Sequence, residues 1–246
     1  MAVHDFTSQR LFVDAPLQEG AEIACTPEQA SYLRSVLRLG EGDEILVFNG
    51  RDGEWRARVH EKGKRGAHLE PVSLVRAQAG GPDLHYLFAP LKRARLDYMV
   101  QKATEMGAAR LVPVITRHTV AERVNTERMR ANVVEAAEQC GILCVPEVAE
   151  PVKLPTLLQN WDASRALIFC DEGADQASPL AALGDVRSGP LAVLVGPEGG
   201  FSPDEREMIR KVPQAVAISL GPRIMRADTA AVAALALVNA VLGDWR

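Results

Sequence analysis

A strand–turn–helix plan that occurs twice near the C-terminus constrains the fold of this chain more than any other feature. Each copy begins with a short apolar run, 191–195 or 215–219, which ends in a Gly-Pro turn at 196–197 or 221–222. Apolar runs of this length bounded by glycine and proline are typical of buried strands in a parallel sheet. Ligands of such sheets bind beyond the carboxyl ends of the strands. The repeat therefore predicts a binding site at the two turns.

The residues that follow each turn predict how the next helix begins. Ser202 is the expected N-cap, Pro203 the first helical residue and Glu205 the partner of a capping box. In the second copy, Asp228 is the expected cap of a helix that begins near Thr229. Glycines in both turns leave backbone groups accessible, which suits a flat heterocycle such as adenine. Ordinary joints of an α/β domain have the same spacing, so the pattern alone leaves both interpretations open.

Two common nucleotide-binding motifs are absent from the sequence. No G-x-G-x-x-G opens a strand–helix–strand unit, which argues against a dinucleotide site, and there is no G-x-x-x-x-G-K-[ST]. The glycines of 196–200 also lack the nearby lysine that a triphosphate requires. We therefore expect a ligand whose binding does not depend on phosphate capture.

The rest of the chain divides into two parts with different periodicity. Residues 1–75 have the pattern of a small β-barrel domain, with a helix at 27–39 and strands at 44–49, 54–60 and 67–75. The stretch 76–82, which contains glycine and proline, is the expected linker. Over 83–246, strands alternate with helices, which predicts a parallel, doubly wound α/β sheet. Its further elements are strands at 84–89, 110–115 and 166–170 and helices at 95–106, 126–140 and 176–183.

Charge is distributed unevenly along a chain whose net charge is −4. Residues 92–130 carry nine Lys and Arg against four Asp and Glu, and residues 51–66 carry six against three. Residues 135–185 carry two basic against nine acidic side chains. A globally acidic protein binds nucleic acid only through local basic surfaces. The basic runs therefore indicate either solvated faces or a directed surface that faces RNA.

Cysteine usage and hydropathy predict a cytoplasmic protein without a metal or a membrane span. The four cysteines form no C-x-x-C, and no histidine or third cysteine near Cys140 and Cys144 completes a zinc site. The N-terminus lacks the pattern of a signal peptide. The most apolar segment, 230–242, has 13 residues, which is too short to cross a membrane and is typical of a buried or interface helix.

Two motifs at these turns resemble the signature of the SPOUT-class RNA methyltransferases. They are LVGPEGGFSPDE (194–205) and SLGPRIMRADTAA (219–231), and they are most similar to those of the RsmE family, which methylates N3 of a uridine in 16S ribosomal RNA. Further similar segments are RLFVD (10–14), YLRSVLRLGEGDEILVFNG (32–50), LKRARLDYMVQKATEMGAARLVPVITRHT (91–119) and EAAEQCG (135–141). The resemblance implies a PUA-like RNA-binding barrel before a knotted SPOUT domain. It also implies a homodimer with its active site at the subunit interface, and the small ribosomal subunit as partner.

The resemblance implies S-adenosylmethionine (SAM) as the cofactor and assigns roles to particular residues. The residues that the resemblance implies bind the cofactor are Val195, Gly196, Pro197, Glu198, Gly199, Gly200, Ser219, Leu220, Gly221, Ile224, Met225 and Arg226. Uracil N3 carries a proton at neutral pH, so a base or a stabiliser of the uracil anion is required. Asp228 is the candidate base, although a plain helix cap is an alternative role, and Arg226 or Arg223 the candidate stabiliser. RNA contacts are expected from Arg10, Arg34, Arg38, Arg51, Lys92, Arg93 and Arg117.

Two other functions fit the same sequence. One is a SPOUT methyltransferase that acts on another RNA or another base position. The other is an RNA-binding ribosome assembly factor that has lost catalysis. A small-molecule dehydrogenase is disfavoured because the dinucleotide fingerprint is missing.

Overall fold

The computed structural model describes residues 7–121, 123–174 and 178–245, and the chain forms two compact units. The first comprises the described residues up to Gly80 together with Val134–Val145, and the second comprises Gly81–Val133 and the residues from Pro146 onward. The contiguous domains 1–75 and 83–246 stay a prediction. The observed units differ from them because Val134–Val145 belongs to the first unit.

The first unit is built on a five-stranded sheet within the described residues. The strand order is β1-β3-β4-β5-β2, with β1 parallel to β3 and the other pairs antiparallel. Its strands are β1 (Arg10–Phe12), β2 (Ile23–Ala24), β3 (Glu44–Phe48), β4 (Glu54–Lys62) and β5 (Gly66–Arg76). The largest apolar cluster described in this unit includes the buried Leu33, Val47 and Leu69, and a smaller cluster joins Phe48 to Ala137 and Leu143.

The helix of this unit ends earlier than the sequence predicted. Helix α1 (Pro27–Ser31) begins with a capping box between Thr26 and Gln29 and continues as a π-helical turn, Tyr32–Val36. Arg38 lies beyond that turn with a φ of 59°. The predicted helix at 27–39 is therefore wrong at its C-terminal end, because Arg34 is helical and Arg38 is not.

A buried ion cluster lies within the first unit, where β4 begins and β5 ends. The carboxylate of Glu54, whose side chain is 1% exposed, accepts hydrogen bonds from Arg10 Nε at 2.8 Å and from Arg76 Nε at 2.7 Å. Arg76 also donates to the carbonyl oxygen of Gly141 at 2.9 Å. Each charge in this cluster therefore has a partner of opposite sign, as burial requires. The bond to Gly141 attaches the 134–145 segment to the unit.

The second unit holds a parallel sheet with helices around it. The strand order is β12-β10-β11-β6-β7-β8, and β9 pairs separately with β7. The strands are β6 (Leu84–Phe88), β7 (Arg110–Ile115), β8 (Glu147–Val148), β9 (Val152–Lys153), β10 (Ala166–Cys170), β11 (Leu191–Val195) and β12 (Ala215–Ile218). The helices that begin in this unit are α2 (Arg93–Glu105), α3 (Thr126–Cys140), α4 (Leu154–Gln159), α5 (Pro179–Gly184), α6 (Pro203–Arg210) and α7 (Ala227–Val241).

The fold class expected from the sequence, a small β domain before a parallel α/β domain, is confirmed. The knot that the resemblance implies stays a prediction. The carboxyl ends of β11 and β12 lie on either side of the carboxyl end of β10, because β10 pairs with both strands in parallel. All five residues of β11 are buried, as the continuous apolar run predicts for an inner parallel strand.

Two helix starts differ from the sequence prediction. Helix α7 begins at Ala227 after an N-cap at Arg226, so Asp228 is not the cap. Its carboxylate instead accepts from the backbone N–H of Thr229 at 2.9 Å, inside the first turn. Helix α5 begins at Pro179 with Ser178 as its cap, whereas the predicted start at Gln176 lies outside the described residues.

Helix α7 is attached to the end of α2 by a buried side chain. The Nδ2 of Asn239 donates to the carbonyl oxygen of Met106, the residue that follows α2, at 2.7 Å. This bond satisfies one of the carbonyl groups that a helix end leaves without an intrahelical partner.

Among the described residues no helix combines the length and hydropathy that a membrane span requires.

The pKa of Glu54 makes the stability of the first unit dependent on pH. Burial alone raises this pKa, but the hydrogen bonds from Arg76 and Arg10 outweigh burial and hold it below its ordinary value. The stabilisation is fully present above the pKa of a glutamate in the unfolded chain, about 4.3, and is lost as the pH falls through the lowered folded value.

Replacement of Glu54 by glutamine is expected to destabilise the protein at neutral pH. The substitution leaves two arginines without their buried counter-charge, so the free energy of unfolding should fall by about 3 to 5 kcal/mol. Urea denaturation followed by tryptophan fluorescence measures the change. The control is Glu44→Gln, which removes an exposed carboxylate from Arg56 and Arg58 on the same sheet and should cost under about 1 kcal/mol. Equal effects of the two variants would contradict the assignment.

Candidate functional site

A cavity of about 410 Å³ lies beyond the carboxyl ends of the three neighbouring strands β11, β10 and β12. Both Gly-Pro turns line it, and so do the residues that follow β10. A volume of this size lies in the usual range for a small-molecule site. The position is the one at which ligands bind in open parallel sheets.

The first turn is shaped by two close approaches. A Cβ at Gly196 would lie 2.9 Å from the ring of the buried Phe201, and a Cβ at Gly200 would lie 2.7 Å from Oε1 of Glu172. Gly200 also has a φ of 67°, which side chains rarely adopt. The buried Phe201 ring leaves no room for a side chain at Gly196, whereas at Gly200 the positive φ favours glycine, because the exposed Glu172 carboxylate could move aside.

The helix after the first turn is capped as the sequence predicted. Ser202 and Glu205 form a capping box, in which each side chain accepts from the backbone N–H of the other residue. Glu205 has a second partner, because its Oε1 accepts from the backbone N–H of Arg117 at 2.7 Å. The box therefore also attaches the loop after β7 to the start of α6.

The second turn is more open than the first. Gly221 has a φ of 106°, and its missing Cβ would face empty space. The side chain of Ile224 is 100% exposed, although Ile224 also lines the cavity. An apolar side chain in this position is available to contact a bound ligand or another macromolecule.

The end of β10 contributes residues to the wall that the sequence prediction missed. Cys170, Asp171 and Glu172 all line the cavity between the two turns. The sequence does contain a signal, because two acidic residues directly follow a predicted buried strand. The strand order could not be predicted from this signal, and it is the order that puts β10 between the two motif strands.

Charged pairs hold this wall in place. Asp171 is fully buried and pairs with Arg210 at 3.1 Å and with Arg206 at 3.5 Å, while Glu172 pairs with Arg206 at 2.5 Å. Burial raises the pKa of the Cys170 thiol to about 12. That thiol is therefore protonated at neutral pH and does not serve as a nucleophile.

The cavity brings together nearly all the residues predicted to bind the cofactor. Its wall contains Val195, Gly196, Pro197, Glu198, Gly199, Gly200, Ser219, Leu220, Gly221, Ile224 and Met225. Of the predicted catalytic residues, Arg223 lines it as well, whereas Arg226 and Asp228 do not. Phe201, Ile218, Pro222, Ala227 and Ala230 also line it and were not predicted.

The residues predicted to bind RNA have different environments. Arg10 is buried against Glu54, so its predicted RNA contact is corrected to a structural role in the core. Arg34 donates to the carbonyl oxygens of Lys64 and Gly66 and thereby holds the turn between β4 and β5. The remaining predicted residues have exposed side chains: Arg38, Arg51, Lys92, Arg93 and Arg117.

The polar groups of the cavity come from its turns and its charged pairs. Among the residues that the structure describes, no group of three or more His, Cys, Asp or Glu side chains could hold a metal ion. The cavity instead combines backbone groups, apolar side chains and charged pairs. This combination suits an organic ligand with a flat ring and several polar groups.

Comparison with known proteins identifies both parts of the chain. Residues 80–239 match the RNA methyltransferase domain, and residues 25–72 match the RNA methyltransferase PUA domain. The Ribosomal RNA small subunit methyltransferase E of Rickettsia conorii is 29% identical over 94% of this chain and 94% of its own length. The enzyme of that name from Synechocystis is 31% identical over 90% of this chain and 74% of its own length.

Two solved structures resemble this one over nearly the whole chain. One is the Ribosomal RNA small subunit methyltransferase E of Neisseria gonorrhoeae bound to S-adenosyl methionine, with a TM-score of 0.87 and 25% identity over 97% of this chain and 100% of that chain. The other is a putative methyltransferase of Legionella pneumophila in complex with SAM, with a TM-score of 0.84 and 26% identity over 95% and 97% of the two chains.

A methyl group at Gly196 is expected to disturb the first turn. In Gly196→Ala the new Cβ meets the Phe201 ring, whose buried position leaves little room to move, so the free energy of unfolding should fall by about 1 to 3 kcal/mol. Gly184→Ala is the control, since a Cβ there meets no atom within 4 Å, and it should leave stability unchanged or raise it by up to about 1 kcal/mol. Denaturant unfolding measures both, and a neutral Gly196→Ala would contradict the close approach.

Proposed function

Because this chain belongs to the ribosomal RNA small subunit methyltransferase E family, we propose that it transfers a methyl group from SAM to N3 of a uridine in 16S rRNA. The observation that carries the proposal is the cavity that both Gly-Pro turns line at adjacent strand ends. The family-model matches and the SAM-bound structural relatives support the same assignment.

The cavity fits SAM in the chemistry of its wall. The glycines of the first turn leave no side chains over the backbone groups, which suits hydrogen bonds to the edge of an adenine. Leu220, Ile224 and Met225 supply apolar contacts for the ring. Glu172 and Glu198 supply carboxylates that accept from hydroxyl or amino groups or attract the positive sulfonium.

Alignment is the main contribution that we assign to the protein. When bound, SAM supplies an activated methyl group, whose bond to sulfur breaks with the electron pair left on sulfur while the N3 electron pair of uracil forms the new bond. Holding the two reacting groups in line supplies several kcal/mol of the barrier reduction. We propose that Asp228 takes the N3 proton and that Arg223 and Arg226 stabilise the negative charge on uracil oxygens. Arg223 is the member of this set that lines the cavity.

The RNA contacts are proposed to come from exposed basic residues of both units. Arg38 and Arg51 belong to the first unit, and Lys92, Arg93 and Arg117 belong to the second. Their contacts with phosphates would supply affinity without sequence selection. We further propose that the protein acts in the cytoplasm as a homodimer. The fully exposed Ile224 beside the cavity is consistent with a subunit interface there.

Calorimetric titration with SAM tests the cofactor site. The parent protein should bind SAM, and Gly221→Trp should not, because the indole would fill the open side of the second turn. Gly42→Trp is the matched control, since Gly42 also has a positive φ and open space but lies in the first unit. Loss of SAM binding in both variants would reflect general damage. Absence of binding by the folded parent would reject the methyltransferase assignment.

Mass mapping of nucleosides tests the target. The parent protein, SAM and small ribosomal subunits that lack the modification should yield 3-methyluridine in the digested 16S rRNA. A methyl group on a different base would indicate a SPOUT enzyme with another target. SAM binding without any transfer would favour an RNA-binding assembly factor.

A further inference from the structure

A histidine from the loop after β7 is bonded to the backbone of the first Gly-Pro turn. The Nδ1 of His118 lies 3.0 Å from the carbonyl oxygen of Gly200, and both residues belong to the second unit. A carbonyl oxygen only accepts hydrogen bonds, so this bond requires the imidazole to carry a proton on Nδ1. Gly200 lines the cofactor cavity and His118 does not. The histidine therefore acts on the cavity through the backbone of the turn.

The side chain of His118 also packs against the same turn. A Cβ at Gly199 would lie 3.4 Å from Cβ of His118 and 3.7 Å from its Nδ1. The space that a side chain at Gly199 would enter is thus bordered by the histidine. His118 contacts the turn at two successive residues, by van der Waals contact at one and by a hydrogen bond at the next.

The loop that carries His118 is itself held in place. The backbone N–H of Thr119 donates to the carbonyl oxygen of Thr116 at 3.2 Å, and the N–H of Thr116 donates to Oγ1 of Thr119 at 2.9 Å. The backbone N–H of Arg117 donates to Oε1 of Glu205 at 2.7 Å. The backbone is therefore fixed on both sides of His118. Although its ring is exposed, the histidine is presented to the turn from a defined position.

The conformational freedom of Gly200 gives this bond its importance. Glycine has more backbone freedom than any other residue, and Gly200 has a φ of 67°. Its N–H donates to the carbonyl oxygen of Pro197 at 2.9 Å, which holds the peptide plane before Gly200. The bond from His118 holds the peptide plane after it. Loss of the histidine would release ψ of Gly200 while the bond to Pro197 still closed the turn.

We propose that His118 is a positioning residue for the cofactor, whose Nδ1–H keeps the first turn in the conformation that binds SAM. This inference rests on the proposed function, because it takes SAM as the ligand of the turn. A turn that is already ordered has less conformational entropy to lose when the ligand binds. Water competes for both groups of an exposed hydrogen bond, so the bond contributes little to folding. Its effect is expected in SAM affinity rather than in stability.

Calorimetric titration of three variants with SAM tests this role. His118→Ala removes the donor, and the Kd for SAM should rise about 3- to 10-fold, as for the loss of one hydrogen bond. His118→Asn should recover most of the affinity, because its amide nitrogen is attached to Cγ, as Nδ1 of histidine is. His118→Gln should not recover it, because its amide lies one carbon further from the backbone.

Arg117→Gln is the matched control on the same loop. The charged partner of Arg117 is Asp204 at 4.0 Å, and its bond to Glu205 comes from the backbone and is kept in the variant. Its Kd for SAM should stay within about twofold of the parent value. Denaturant unfolding should give nearly the same midpoint for the parent and all four variants, since each change is at an exposed side chain.

Two results would overturn the role of His118. One is a Kd for SAM that is the same in His118→Asn and His118→Ala, since the donor at Nδ1 would then have no effect on affinity. The other is an unchanged Kd for SAM together with a higher KM for the small ribosomal subunit in His118→Ala. That pattern would make His118 an RNA contact.

The titration separates this inference from the proposed function because it requires no methyl transfer. If SAM binding follows the expected order of the variants but the parent transfers no methyl group, the proposed transfer fails and the role of His118 stands. If the parent forms 3-methyluridine while His118→Ala binds SAM as the parent does, the role of His118 alone is rejected.

Discussion

Parallel pairing of the buried strand β10 with a strand on each side is the constraint on which the site depends. β11 pairs with one edge of β10 and β12 with the other, so all three chains leave the sheet at the same end. The Gly-Pro turns are 25 residues apart in sequence, counted from Gly196 to Gly221, yet they line one cavity. The acidic residues after β10 complete the wall between them. A different strand order would separate these parts and leave two unrelated turns.

The two Gly-Pro turns differ in how closely the cavity wall is packed around them. The first turn is tight, because the buried Phe201 ring occupies the position that a side chain on Gly196 would need and because Gly200 has a φ of 67°. The second turn is open, with empty space beside Gly221 and a fully exposed Ile224. A rigid side and an open side together suit a site that holds a small cofactor and also admits a macromolecular substrate. The buried Asp171, paired with two arginines, keeps the wall between the turns in one arrangement.

Much of the fold could be predicted because local patterns and tertiary packing agree. The apolar runs of β10, β11 and β12 fall within about one residue of their predicted bounds, and the capping box of α6 is present as expected. The prediction and the structure disagree at charged side chains that had more than one possible partner. The resemblance implied that Arg10 contacts RNA, but Glu54 is its partner in the folded sheet. Asp228 has the residue type of a cap, but α7 already begins at Ala227. The sequence alone does not show which partner a charged or polar side chain will meet.

The sequence by itself determined the class of fold and the position of the two Gly-Pro turns. Eleven of the twelve residues that were predicted from it to bind the cofactor line one cavity. Glycine, proline and capping residues act over a few positions, so their effects can be read locally. The tertiary structure decided the role of Arg10, the contribution of Cys170, Asp171 and Glu172, and the bond from His118 to Gly200. Each of these depends on strand order or on contacts between residues distant in sequence. Such contacts are chosen by the packing of the whole sheet, which no local pattern encodes.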